Sequence, residues 1–193
     1  MFIFKKIEDL QDYLLGKRDA GQSIGFVPTM GALHEGHISL IKASKKVNEV
    51  TVCSIFVNPT QFDNADDLKK YTRNLAKDAK MLGNEETEVL FAPSVEEIYP
   101  KNLDTEVKLN FDQLTTVLEG KFREGHFEGM VQVVNRLLEI VQPNSLFMGQ
   151  KDFQQAAIVK SMLLQQESTI KLVVCPIIRE ENGLAMSLSL IHI

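Results

Sequence analysis

Cysteine is almost missing from this chain: only Cys53 and Cys175 occur, each inside an apolar, strand-like run. Two such residues offer no disulfide framework and read as buried thiols in a reducing compartment. A basic excess is missing too, since 21 Lys+Arg stand against 26 Asp+Glu for a net charge of −5. That balance carries no electrostatic footprint for nucleic acid, although it leaves room for a local basic pocket. No apolar run approaches membrane-spanning length, and the opening Met1-Phe2-Ile3-Phe4-Lys5-Lys6 is too short an apolar stretch for a signal peptide. No membrane partner is therefore expected, and the cytoplasm is the expected location. Internal repeats and low-complexity linkers are absent, and no Cys–His or Ser–His pair suggests a protein nucleophile. With 44% hydrophobic and 24% charged residues, 193 residues suit one medium-sized domain with a real core.

What is present alternates. Ile7 to Leu15 repeats apolar residues at helical spacing (Ile7, Leu10, Leu14, Leu15) and is expected to end at Gly16. Ile24 to Val27 reads as a strand stopped by Pro28, because proline donates nothing to a ladder. A helix with a buried face of Ile38, Ile41, Ala43 and Val47 follows. The β-branched run Val50–Val57 reads as a strand of a parallel sheet, ended by Asn58-Pro59. Asp66 to Leu82 reads as one helix, and Glu88–Ala92 as a third strand. Lys101 to Phe111 is polar, either an excursion or an edge strand. Gly120 to Gly129 reads as a glycine-spaced polar loop before a helix over Val131–Val141. Ser145–Met148 is a strand, Asp152–Gln165 a helix with Asp152 placed to cap it, and Leu172–Pro176 the last strand. Strands and helices in alternation with short connections predict an α/β fold, a doubly wound, Rossmann-like parallel sheet with helices on both faces. Ligands of such sheets bind beyond the carboxyl ends of the strands, which puts Pro28–His37 and Asn58–Phe62 on one edge.

The chemistry concentrates at that edge. Pro28-Thr29-Met30-Gly31-Ala32-Leu33-His34-Glu35-Gly36-His37 runs from a strand through a small-residue turn into a helix. Unpaired N–H groups and the dipole at such a turn favour an anion. His34 and His37, three apart, share one face of the first turn. Gly149-Gln150-Lys151-Asp152 again follows a strand and opens a helix, where a lysine supplies a point charge for a polyphosphate. Gln61 and Gln155 offer neutral donors and acceptors for hydroxyl and carboxylate oxygens. His126, flanked by Gly125 and Gly129, reads equally as a residue held close to a ligand and as a plain helix start.

His34-Glu35-Gly36-His37 resembles the His-x-Gly-His signature of the nucleotidyltransferase superfamily. The string Pro28 to His37 is similar to that of one family within it, the pantothenate synthetases. Asn58-Pro59-Thr60-Gln61-Phe62, Gly149 to Gln155, His126-Phe127-Glu128-Gly129 and Pro176 to Ser187 resemble further motifs of that family, in the same order. The resemblance implies an ATP site built from Met30, Gly31, Ala32, Leu33, His34, Glu35, Gly36, His37, Gly149, Gln150, Lys151, Asp152, Ile178, Met186 and Ser187. It implies catalytic roles for His37, His34 and Lys151, with Mg²⁺ sharing the phosphate charge. Gln61 would contact pantoate and β-alanine, Gln155 pantoate, and His126 would stand beside the site. The implied reaction joins (R)-pantoate to β-alanine through a pantoyl adenylate, releasing pyrophosphate and AMP, in a homodimer.

The family pattern continues past Met186-Ser187 to Ser-Arg-Asn, whereas this chain reads Leu188-Ser189-Leu190-Ile191-His192-Ile193. The expectation is a nucleotide- and pantoate-binding domain over 1–187 and an atypical tail over 188–193. The family's C-terminal lid domain is expected to be missing and turnover to be poor. Two other readings stay open: another nucleotidyltransferase of the superfamily that keeps the nucleotide on its product, and a non-catalytic nucleotide-binding or dimer-forming module.

Overall fold

The computed structural model describes residues 1–62, 65–123 and 125–187. The proposed tail Leu188–Ile193, with position 189, lies outside them. Six strands form one parallel sheet: β1 (Phe2–Phe4), β2 (Ile24–Thr29), β3 (Val50–Ile55), β4 (Val89–Phe91), β5 (Ser145–Gly149) and β6 (Lys171–Cys175), in the spatial order β1-β4-β3-β2-β5-β6. Among the described residues seven α-helices connect them: α1 (Ile7–Asp19), α2 (Glu35–Lys45), α3 (Ala65–Lys70), α4 (Leu75–Asn84), α5 (Val95–Ile98), α6 (His126–Val141) and α7 (Phe153–Gln165).

Alternate residues of each central strand face opposite layers. Ile24, Phe26, Val50, Val52, Leu146 and Met148 pack with Leu10 and Leu14 of α1, the apolar face of α6, and Ile158, Val159 and Met162 of α7. Val27, Cys53, Leu90, Phe147 and Cys175 pack on the other side with Leu40 and Ile41 of α2 and Leu82 of α4. Both faces are therefore covered, which is why the central strands are mostly apolar instead of alternating. Both cysteines are free and buried, and burial pushes the Cys53 thiol up to about 12. Among the described residues no helix is long and apolar enough to cross a membrane.

Several expected boundaries move, each for a physical reason. Pro28 does not stop β2; it pairs with Ser54 inside the strand. Ile24 bonds toward β5 and Thr29 toward β3, so by alternation the nitrogen of Pro28 faces β5. Pairing on that side ends at Phe26–Leu146, so no ladder bond is lost there. Helix α1 runs through Gly16 to Asp19, a glycine mid-helix costing only about 1 kcal/mol, and Leu15 is exposed rather than buried. Val47, expected on the buried face of α2, lies beyond its end and is exposed. The single helix expected over Asp66–Leu82 is two, because the Asn74 side chain accepts from the Lys77 N–H at 3.0 Å and starts α4 afresh.

The segment Lys101–Phe111 forms no strand, although Val107, Leu109 and Phe111 pack against the core. Helix α6 begins at His126 instead of Val131, so the expected polar loop stops at Gly125. Asp152 occupies the N-cap position of α7 without capping it; its carboxylate takes Lys151 Nζ at 2.6 Å instead. Strand β1 gave no sequence signal of its own length. It pairs with β4 from Phe2–Val89 to Phe4–Phe91 and closes one edge of the sheet.

The chain winds outward from β2 through β3 to β4, then returns across β2 to β5 and β6. Adjacent strands whose connections leave in opposite directions open a crevice at their carboxyl ends. Here that switch point lies between β2 and β5, where the Met30–His34 turn and Gly149–Asp152 leave the sheet side by side.

Candidate functional site

A cleft of about 880 Å³ opens at this switch point, near the upper end of the range for small-molecule sites. One wall is the turn after β2, with Met30, Gly31, Ala32, His34, Gly36 and His37. Facing it are Gly149, Lys151 and Asp152, followed by Gln155 on α7. Ile178, Met186 and Ser187 overhang it from the segment after β6, which folds back on itself through the Met186 N–H to Ile178 carbonyl bond at 3.0 Å and the Arg179–Ala185 bridge. Gln61 and His126 stand at the far end.

Three of the expected nucleotide-site residues send no side chain into the cleft. Leu33 is buried in the α2-side core, while Glu35 and Gln150 point to solvent. Lys70, Tyr71, Thr72, Glu119 and Arg123 line it without having been named as candidates. Reading one helix over Asp66–Leu82 hid Tyr71, which sits in the break before α4 and packs edge-on against Phe62 with ring centroids 5.5 Å apart. The cue was Asn74, a good N-cap residue preceding an apolar repeat.

The histidine pair is built by its own backbone. His34 is the N-cap of α2: its Nδ1 accepts the Gly36 N–H at 3.1 Å, while His37 Nδ1 accepts the His34 N–H at 3.3 Å. This is a capping box with imidazoles in place of a hydroxyl and a carboxylate. The rings lie 4.1 Å apart, centroid to centroid. The middle glycine is a steric requirement, since a Cβ at Gly36 would lie 2.8 Å from His34 Cε1. An imidazole whose Nδ1 accepts carries its proton on Nε2. Both rings are held in that neutral form: burial, then Lys151, lowers the His34 pKa, and burial, then His34 and Lys151, brings His37 down to about 3.

The free amides expected at this turn are mostly spent. The Ala32 and Leu33 N–H groups go to the Asp78 carboxylate, Gly31 to Thr29 Oγ1, and those of His34 and Gly36 to the two imidazoles. The donors left open to the cleft are therefore chiefly side chains: two Nε2–H groups and the Lys151 ammonium.

The far end is braced separately. Asn58, fully buried, gives its Nδ2 to the Gly129 carbonyl at 3.1 Å and accepts from the Tyr99 hydroxyl and from Thr60. That ties the 3₁₀ turn Pro59–Gln61 to α6. The Gln61 carbonyl accepts from His126 Nδ1 at 3.0 Å, so the His126 proton is on Nδ1 in the neutral ring and its Nε2 is an acceptor. Gln154, beside Gln155, accepts the Glu119 N–H and donates to the Leu114 and Val117 carbonyls, holding the loop that carries Glu119 and Arg123. Among the described residues no group of three His, Cys, Asp or Glu could hold a metal ion.

Sheet order and histidine-capped turn define a doubly wound α/β domain with a cleft at its switch point, lined by imidazole and ammonium groups. Comparison with known proteins narrows this. The model of the family described as pantoate-beta-alanine ligase matches residues 2–189. The pantothenate synthetases of Aquifex aeolicus and Bacteroides thetaiotaomicron are 48% and 49% identical over 96% and 97% of this chain. Crystal structures of pantothenate synthetase from Thermus thermophilus and of pantoate-beta-alanine ligase from Francisella tularensis, the latter complexed with beta-gamma ATP and beta-alanine, superpose with TM-scores of 0.93 and 0.92. They are 38% and 42% identical, each covering the whole of this chain and 68% and 73% of the solved ones. The chain belongs to the pantoate–β-alanine ligase family. It spans 65% and 66% of the length of the two curated relatives.

Proposed function

We propose that this cleft binds MgATP and (R)-pantoate together and forms pantoyl adenylate, from which β-alanine displaces AMP to give pantothenate. The observation that carries the reading is the convergence of two kinds of group in one cleft. His34, His37 and Lys151 suit a polyphosphate, whereas the amides of Gln61 and Gln155 suit the hydroxyls and carboxylate of a small acid. The cleft is large enough for both ligands at once. Family membership supports the substrate pair, and the ATP and β-alanine held by the Francisella tularensis relative support the same assignment here.

In this reading a pantoate carboxylate oxygen attacks the α-phosphorus of ATP, and pyrophosphate leaves. The amine of β-alanine then attacks the acyl carbon, and the C–O bond to AMP breaks. Such chemistry asks for alignment and charge stabilisation more than for a protein nucleophile. The Nε2–H groups of His34 and His37 supply donors that need no proton change during the step, and Lys151 exchanges Asp152 for phosphate. Mg²⁺ enters with the nucleotide as part of the substrate; the nearby carboxylates of Asp152 and Asp78 are already engaged.

The division of the cleft has a direct test. Gln61→Ala and Gln155→Ala should each weaken pantoate binding by roughly tenfold, the value of a lost hydrogen bond to a charged group, with ATP affinity within twofold of the parent. Calorimetric titration of both ligands reads this. Parallel loss of ATP affinity would move the glutamines into the nucleotide site.

Assembly as a homodimer belongs to the same proposal. Leu118 and Phe122, 64% and 80% exposed on the loop before α6, are two exposed apolar side chains that such a contact would cover. Sedimentation equilibrium should give a dimer that Phe122→Asp weakens. A monomer at every concentration would remove this part of the reading.

A further inference from the structure

We propose that Asp78, buried on the helix α4 that packs on the α2 side of the sheet, is the positioning residue that holds the histidine turn in its working shape. The inference rests on reading the cleft as a nucleotide site. Asp78 lies on α4 and is 1% exposed. Its Oδ2 accepts the Ala32 N–H and its Oδ1 the Leu33 N–H, both at 2.9 Å. Among the described residues no cation pairs with it, so the two backbone amides are its partners.

The turn needs such a hold. Gly31 and Ala32 are consecutive left-handed residues, with φ of 82° and 51°. Alanine resists that conformation because its Cβ crowds the following carbonyl. Within the turn Gly31 has only the Thr29 hydroxyl, a neutral acceptor, and the two bonds from Ala32 and Leu33 to a carboxylate are stronger than that. Asp78 also fits closely beneath the turn: a Cβ on Gly31 would lie 3.1 Å from Oδ2. Directly after Leu33 comes His34, the cap from which both imidazoles take their orientation. Helix α4 is itself anchored, by the Asn74 cap at its start and by Leu82 in the core. A rigid element on one face of the sheet thus sets the aim of two side chains that open on the cleft.

The test combines a variant with a measurement on the unaltered chain. Asp78→Asn keeps the shape but turns an NH₂ toward one of the two backbone donors, so one bond must break. Proton NMR of the His37 ring is the first readout. The charged groups acting on the pair are Lys151 on both rings and Glu180, Asp152 and Glu35 on His34, and none of these is changed. If the clasp holds the turn, loosening it should expose His37 and raise its titration midpoint by a unit or more toward the ordinary 6.5. Removing a negative charge without movement would shift the midpoint the other way. Affinity for an ATP analogue with a methylene α–β bridge should fall about tenfold, as misplacement of binding groups would cause. In the parent chain, the Ala32 and Leu33 amides should exchange slowly with deuterium, which decides the matter even if the variant does not fold. A His37 midpoint unchanged or lowered in a folded Asp78→Asn protein, or rapid exchange of those two amides in the parent, would overturn the assignment. A parent chain that fails to bind the analogue would instead count against the nucleotide site, leaving the titration and the exchange to decide the role of Asp78.

Discussion

His37→Ala should lower pantoate-dependent exchange between pyrophosphate and ATP by roughly 10²–10³, the usual loss for one preorganised donor at a developing charge. Two effects combine in that number. The substitution removes an Nε2–H aimed into the cleft, and it also removes the acceptor for the His34 N–H, undoing half of the capping box. His37→Asn keeps a short polar side chain that can rebuild part of the box, so it should recover some of the loss. The pH dependence carries a second expectation. Because His37 titrates at about 3, it stays neutral from pH 8 down to pH 5, and the rate should show no acid limb from this ring near 6.5. Exchange within threefold of the parent would make His37 a bystander.

Gly129→Ala should be strongly damaging. Its Cβ would lie 2.6 Å from the Thr60 carbonyl carbon and closer still to the oxygen, both backbone atoms with no rotamer to escape through. Either α6 or the turn Pro59–Gln61 must move. Helix α6 is the apolar centre of one layer, with Met130, Val134 and Leu137 buried beside Gly129, so the turn should yield. That strains the Asn58 bond to the Gly129 carbonyl and shifts the carbonyl of Gln61 away from His126. Overpacking of this kind costs about 1–3 kcal/mol. Thermal unfolding should show the loss, and pantoate affinity should drop with it while ATP affinity holds. A variant of parental stability that binds pantoate normally would mean that the turn and α6 are not held in register as described.

Much of this was readable from residue pattern because local and global preferences agree. The sheet was visible since parallel strands covered on both faces are largely apolar or β-branched, as Val50–Ile55 and Ser145–Met148 are. The two motif-bearing turns were visible because each joins a strand end to a helix start. What stayed hidden depends on contacts between distant segments. Three-residue β1 is a strand only because β4 lies beside it. Pro28 is tolerated within β2 only because β5 pairs no further than Leu146. Tyr71 and Lys70 reach the cleft only because the chain breaks at Asn74. Asp78 gave no signal at all, since a lone acid on a helix looks like any solvated one until the turn it grips is folded against it. Leu33, Glu35 and Gln150, carried along within contiguous motifs, show the opposite limit: neighbours in sequence alternate between cleft, core and solvent.

The central claim is that a pantoate carboxylate oxygen attacks the α-phosphorus of ATP in this cleft. Pantoate labelled with ¹⁸O in its carboxylate, incubated with the protein, MgATP and β-alanine, tests that directly by mass spectrometry of the products. The account predicts AMP carrying one labelled oxygen and unlabelled pyrophosphate. Unlabelled AMP, or label appearing in inorganic phosphate together with ADP, would contradict it.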